Sequence, residues 1–155
     1  MSADLSNPHH TQAILTLLDA YATDPMGGSK ALSEFVRENL LIELKKRPAI
    51  RPVLAFVEGV PAGLAMCMDG FSTFACRPLL NIHDLTVATA FRGQGIGRKL
   101  IDYVTLLATT LGCCKVTPEV LEGNVLAYNL YKSCGFAGYE LNPETGKAMF
   151  LQKTL

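Results

Sequence analysis

The sequence lacks an excess of charge of either sign: 14 Lys and Arg balance 14 Asp and Glu. Such a chain has no general electrostatic grip on nucleic acid or on an anionic membrane, so neither is an expected partner. Any anion site must be local. The chain also lacks an apolar run approaching the ~18 residues of a membrane span. Met1-Ser2-Ala3-Asp4 has neither the basic start nor the apolar stretch of a secretory leader. The cysteines Cys67, Cys76, Cys113, Cys114 and Cys134 are odd in number and contain no C-x-x-C. They are expected to be reduced core thiols of a cytoplasmic protein, with no disulfide and no metal. No repeat, low-complexity tract or linker divides the chain. At 155 residues, 49% apolar and 18% charged, it suits one globular domain, 1–155.

Asn7-Pro8 reads as a helix cap with proline at the first helical position, and Ile14, Leu17, Leu18 and Tyr21 follow at helical spacing. Asp24-Pro25-Met26-Gly27-Gly28 breaks that helix. Ser29 is expected to cap a second, with Leu32, Phe35, Val36, Leu40 and Leu44 as its stripe and Lys45 to Pro48 as its end. Val53 to Val57 and Ala62 to Met68 read as a hairpin, and Leu79 to Val87 as a third strand. A helix over Gly95–Leu111 carries Ile96, Leu100, Val104, Leu107 and Leu111 on one face. A strand from Cys113 to Leu121, a helix from Asn124 to Cys134 and strands Phe136–Leu141 and Ala148–Leu155 complete an α/β or α+β order with a mixed sheet.

The chemistry concentrates in Val87-Ala88-Thr89-Ala90-Phe91-Arg92-Gly93-Gln94-Gly95-Ile96-Gly97-Arg98, between a strand and the most amphipathic helix. Glycines at 93, 95 and 97 let the backbone turn tightly and approach a ligand. Their N–H groups join the positive end of the helix dipole, which makes an anion site suited to phosphate. Arg92 and Arg98 are placed to add charge-assisted contacts. A P-loop is excluded because no Gly-Lys-Ser/Thr occurs. A dinucleotide fingerprint has its third glycine one place later, though Glu119 lies at a workable distance for a ribose contact, so that alternative stays open.

Arg92-Gly93-Gln94-Gly95-Ile96-Gly97 resembles the signature [QR]-x-x-G-x-[GA] of the GNAT (Gcn5-related N-acetyltransferase) superfamily. Asn124 to Phe136 is similar to its second motif, N-x-x-A-x-x-L-Y-x-x-x-G-F. The likeness covers about Leu79 to Leu141, and Ile82 to Ile101 also resembles diamine acetyltransferases. The resemblance implies a GNAT fold: a twisted mixed sheet of six or seven strands, flanked by about four helices and splayed to admit acetyl-CoA. It implies direct transfer of the acetyl group to a primary amine, on a small molecule sooner than a protein. Homodimers are common in the family. The family's alternative is an acyl-CoA-binding or sensing module that has lost catalysis.

By the same resemblance, the amides of Gln94, Gly95, Gly97 and Arg98, within Arg92-Gly93-Gln94-Gly95-Ile96-Gly97-Arg98, hold the cofactor pyrophosphate. Main-chain groups of Leu85 and Val87 pair with pantetheine, Asn124 contacts it, and Tyr131 protonates the departing thiolate. A protonated amine needs a base before it can attack. Asp84, then His83, are the candidates, where diamine acetyltransferases have Glu-Asp. Alternation on a strand lets at most one of them face the cleft. A base acting through water, a helix cap at Asn124 and a core role for Tyr131 remain alternatives. Phe71 to Pro78 and the Tyr21 to Ser29 loop are expected to wall the acceptor site, with Arg77 available to an acceptor carboxylate.

Overall fold

A computed structural model describes residues 1–139, 142, 144, 146 and 148–154. Helix α1, Pro8–Thr23, begins as the sequence predicts, with Asn7 Oδ1 accepting from the His9 N–H at 2.9 Å. Asp24 is extended and caps a single 3₁₀ turn, Pro25–Gly27, through the Met26 N–H. Helix α2, Glu34–Lys45, starts later than expected. Ser33, not Ser29, is the cap, its Oγ accepting from Val36 at 3.3 Å. Ser29 sits at φ 57°, a left-handed conformation unsuited to an N-cap. Leu32 therefore precedes the helix, its N–H bound by Asp19, and Phe35 faces solvent.

Four strands follow in the order β1-β2-β3-β4: β1 Ile50–Val57, β2 Val60–Ser72, β3 Arg77–Val87 and β4 Val116–Pro118. The first two pairings are antiparallel and β3–β4 is parallel. Helix α3, Ile96–Thr110, crosses over between β3 and β4, and α4, Val125–Ser133, follows β4. Residues 1–3 also line the free edge of β1, where Leu54 donates to the Met1 carbonyl and Ala3 to that of Pro52.

Strand alternation sorts the core into two layers. Val53, Ala65, Cys67, Leu80 and Ile82 face Ile96, Leu100, Val104 and Ala108 of α3. Leu54, Leu64 and Met66 face Ala13, Ile14 and Leu17 of α1 and Leu44 of α2. Each fully buried Leu or Ile contributes about 1.5–3 kcal/mol, so this two-sided sheet anchors both helix layers and fixes what projects from β3.

The mixed sheet and four flanking helices agree with expectation, but the described residues form a four-stranded sheet, not one of six or seven. The strand expected from Cys113 to Leu121 contracts to three residues. It covers Val116–Pro118, and Glu119 just beyond it makes the last backbone bond to β3, donating to the Ile82 carbonyl at 3.3 Å. Phe136–Tyr139 and 148–154 carry no strand ladder, although Ala148 donates to the Tyr139 carbonyl at 3.1 Å. Leu141 and Leu155, the outer bounds of those two expected strands, lie outside the described residues. Phe71 to Pro78 is a simple hairpin, with Ser72 opposite Arg77. It lies ten residues from Val87 along β3, about 33 Å at strand rise. Arg77 donates to the Gly112 carbonyl after α3 at 3.0 Å.

Candidate active site

The glycine-rich segment folds into a turn entering α3. Gly93 and Gly95 both lie at φ 77°, where a side chain would strain the backbone, and Gly95 is the α3 cap residue. No side chain caps this helix. Its first-turn N–H groups, those of Ile96, Gly97 and Arg98, have no intrahelical partner and point from the positive helix end. Gly97 is buried, and a Cβ there would meet Leu130 Cδ2 at 2.8 Å, so the glycine lets α4 close on α3. Gln94 Nε2 donates to the Ala90 carbonyl and holds the turn shut behind those amides.

The site depends on a β-bulge that local alternation did not predict. Cys67 lies opposite Ile82 and Met66 opposite Asp84, which leaves His83 as the extra residue on β3. Before the bulge, Leu80 donates to Lys115 and Ile82 accepts from Glu119, so even-numbered residues bond toward β4. After it, Ala88 donates to Ala62, so even-numbered residues bond toward β2. The main-chain groups of Leu85 and Val87 therefore turn to the β4 side. There β4 has already ended at Pro118. With the Val87 carbonyl held by Arg92 Nε at 3.1 Å, this leaves a strand edge open at Leu85 and at the Val87 N–H that an extended, amide-bearing ligand arm fits.

The bulge also carries Asp84 to the opposite side of the sheet from Ile82. Asp84 stands opposite Met66 and shares its α1-facing side of the sheet. His83 is exposed and turns its Nδ1 toward Glu119 Oε2 at 3.4 Å. Glu119 is the residue after β4, so this pair spans the point where the strands part. Burial raises the Asp84 carboxyl above its ordinary value; the neighbouring His83 opposes the rise and Glu119 adds to it. Burial likewise raises the Tyr131 phenol, with Tyr21, Cys67 and Asp84 contributing. Tyr131 is 4% exposed, and its ring meets Phe136 edge-on at 5.6 Å. Tyr21, on the last turn of α1, is raised by burial and then by Asp84 and Asp24. Asp84, Tyr21, Tyr131, His83 and Glu119 thus gather around the split. Asp84, Tyr131 and His83 are residues that the sequence singles out for the site; Tyr21 enters there only as the start of a loop expected to wall the acceptor, and Glu119 only through the dinucleotide alternative.

The arginines of the motif are engaged within the protein. Arg92 donates to the Val87 carbonyl at 3.1 Å and to Asp24 at 2.8 Å, tying the α1–α2 connection to the glycine-rich turn. That ion pair is why Asp24 sits below its ordinary pKa. Arg98 reaches across to Ser133. Asn124 is a helix cap, its Oδ1 accepting from Ala127 at 3.1 Å. Of the cysteines, only Cys67 is a core thiol, pushed up to about 12 by burial; Cys76 is exposed, and the other three are half-buried. All five are free. Among the described residues, no cluster of three metal-ligating side chains occurs and no helix is long and apolar enough to cross a membrane.

The chain is 36% identical over 73 residues to the thialysine N-epsilon-acetyltransferase of Bos taurus, covering 47% of this chain and 42% of that protein. The chain thus matches less than half the length of that relative. The structure superposes on an aminoglycoside acetyltransferase from an uncultured soil metagenomic sample with a TM-score of 0.79 at 20% identity, covering 100% of this chain and 94% of the other. It superposes on the ribosomal-protein-alanine N-acetyltransferase of Brucella melitensis with a TM-score of 0.79 at 16% identity, covering 99% and 97%. At such identities these two likenesses establish the fold alone. The profile of the acetyltransferase (GNAT) family matches residues 14–136, nearly the whole of the ordered core with both motifs inside it, and the chain belongs to that family.

Proposed function

We propose that the protein transfers the acetyl group of acetyl-CoA directly to a primary amine, on a small-molecule acceptor. The observation that carries this reading is the coincidence of an uncapped helix start with an open strand edge at Leu85 and Val87, both beside a buried phenol and a half-buried carboxylate. The amides of Gln94, Gly95, Gly97 and Arg98 fit a pyrophosphate, and the main chain of Leu85 and Val87 fits pantetheine. Asn124, the cap of α4, would contact the same arm. When bound, acetyl-CoA supplies an activated acyl group on a thiolate leaving group.

The residues then divide the work. Asp84 takes a proton from the acceptor ammonium, a task that a carboxyl raised above its ordinary value performs better than a fully solvated one. Amides along the open edge stabilise the charge that develops on the acyl oxygen. Tyr131 stays protonated at neutral pH and gives its proton to the departing sulfur. Cys67 is no nucleophile at neutral pH because its thiol is held protonated, in keeping with transfer that needs no acyl-enzyme. The name of the Bos taurus relative, a thialysine N-epsilon-acetyltransferase, supports an amine on a small molecule. A cleft edged by Asp84, Glu119 and Tyr21 suits such an acceptor.

Thermal unfolding with ~1 mM acetyl-CoA, CoA, NAD or ATP tests the cofactor half of this reading. A ligand at 100 times its Kd adds about 2.7 kcal/mol. Stabilisation by acetyl-CoA and CoA alone is expected. Stabilisation by NAD or ATP without either CoA species contradicts it.

A further inference from the structure

The last arginine of the glycine-rich motif is directed away from the anion site that the backbone beside it forms. Arg98 lies on the first turn of α3, but its Nη2 donates to Ser133 Oγ at 2.7 Å and its Nη1 to the Ser133 carbonyl at 3.3 Å. The Ser133 hydroxyl donates onward to the Leu130 carbonyl at 2.7 Å, so one oxygen both accepts and donates. Along the same seam, Leu130 presses on Gly97. Two neighbouring residues of α3 thus hold two residues of α4, and Tyr131 lies between them in sequence. Helix α4 has only nine residues. A helix that short does not sustain itself, and its placement comes from tertiary contacts. A guanidinium at its C-terminal end also meets carbonyls that have no intrahelical donor.

We infer that Arg98 is a positioning residue for Tyr131: its guanidinium, rooted in the phosphate-binding turn, fixes α4 so that the phenol meets the departing sulfur. This rests on the acid role of Tyr131 proposed above. It gives the motif a second use, since the backbone amide of Arg98 faces the anion site while its side chain sets the acid. The competing role is a phosphate contact, and the two roles predict different losses.

Arg98→Met, Arg98→Lys and Ser133→Ala separate them, Ser133→Ala leaving the arginine in place. Displacement of a reacting group by about 1 Å costs up to roughly a hundredfold in rate. Arg98→Met is expected to lower kcat by between about ten- and a hundredfold. Calorimetric affinity for free CoA should change less than about threefold, well under one tenfold step. Ser133→Ala should show the same pattern more weakly, and Arg98→Lys should restore part of it. In a Tyr131→Phe background, Arg98→Met should add almost nothing, because both changes remove one function. The deficit should also shrink with an acyl donor whose thiol leaves more easily.

A readout independent of turnover is the ring resonance of Tyr131 in tyrosine-labelled protein, assigned by its loss in Tyr131→Phe. Arg98→Met and Ser133→Ala should both shift or broaden it. An unmoved resonance overturns the inference, and so does weakened CoA binding with kcat unchanged. If Tyr131→Phe itself leaves turnover intact, the acid reading has failed. If Tyr131→Phe is impaired and Arg98→Met is not, only the positioning role has failed.

Discussion

Tyr131→Phe is expected to lower kcat by about 10²-fold or more, the usual scale of a lost general acid, while the KM for acetyl-CoA stays near its original value. The substitution removes one oxygen from a side chain that is 4% exposed and leaves its ring against Phe136. Packing is therefore preserved and the helix α4 carrying it is undisturbed. A thiolate leaving without a proton donor is what slows. Burial first, and then its ionisable neighbours Tyr21, Cys67 and Asp84, raise this phenol, so it is protonated across the working range of pH. No loss of phenol donation is expected as the solution is made moderately alkaline. Equal losses in kcat and in affinity contradict the acid role, as does no loss in either.

Asp84→Asn is expected to reduce kcat/KM by a similar factor, about 10²-fold, and at the same time to stabilise the protein at neutral pH. The two effects have one cause. Burial raises the Asp84 carboxyl, so the folded state binds its proton more tightly than the unfolded chain does. A group raised on folding contributes stability that is fully present below its unfolded pKa and is lost as pH rises through its folded value. At pH 7 the ionised carboxylate is thus a burden that asparagine does not impose. The melting temperature of Asp84→Asn should exceed that of the parent at pH 7, and the gap should close in acid. Activity of the parent should fall as pH drops through the same raised value, because only the carboxylate accepts a proton. A variant less stable at pH 7, or one with unchanged kcat/KM, contradicts the assignment.

What the sequence discloses and what it hides follow from the range of the interactions involved. The glycine-rich turn was legible because it is local: Gly93, Gly95 and Gly97 encode backbone conformation, and Ile96 to Val104 encode the helix that follows. Asn7-Pro8 and Asn124 were legible for the same reason, as caps acting within three residues. The bulge at His83 was not, because it exists only in the register between β3 and β2. Without it, strict alternation put His83 and Asp84 on opposite faces and offered no reason for the edge at Leu85 and Val87 to open. Ser33 was passed over for Ser29 because both are serines near a helical stripe, and only the backbone conformation separates them. Glu119 carried a signal that went unused: it follows the carboxyl end of one of two adjacent parallel strands, where α/β sheets place their ligand sites. The side chain of Arg98 pointed at phosphate by motif and at Ser133 by packing, a choice only the seam between α3 and α4 makes.

The most direct test is to incubate the protein with acetyl-CoA and a panel of small primary amines and to follow released thiol and acetylated amine together. Steady turnover is expected with at least one cationic amine, with one thiol per acetylated product, no burst of thiol before the amine is added, and loss of that turnover in Asp84→Asn. Tight binding of acetyl-CoA with no thiol released by any amine would contradict the proposed transfer and leave a cofactor-binding protein without catalysis.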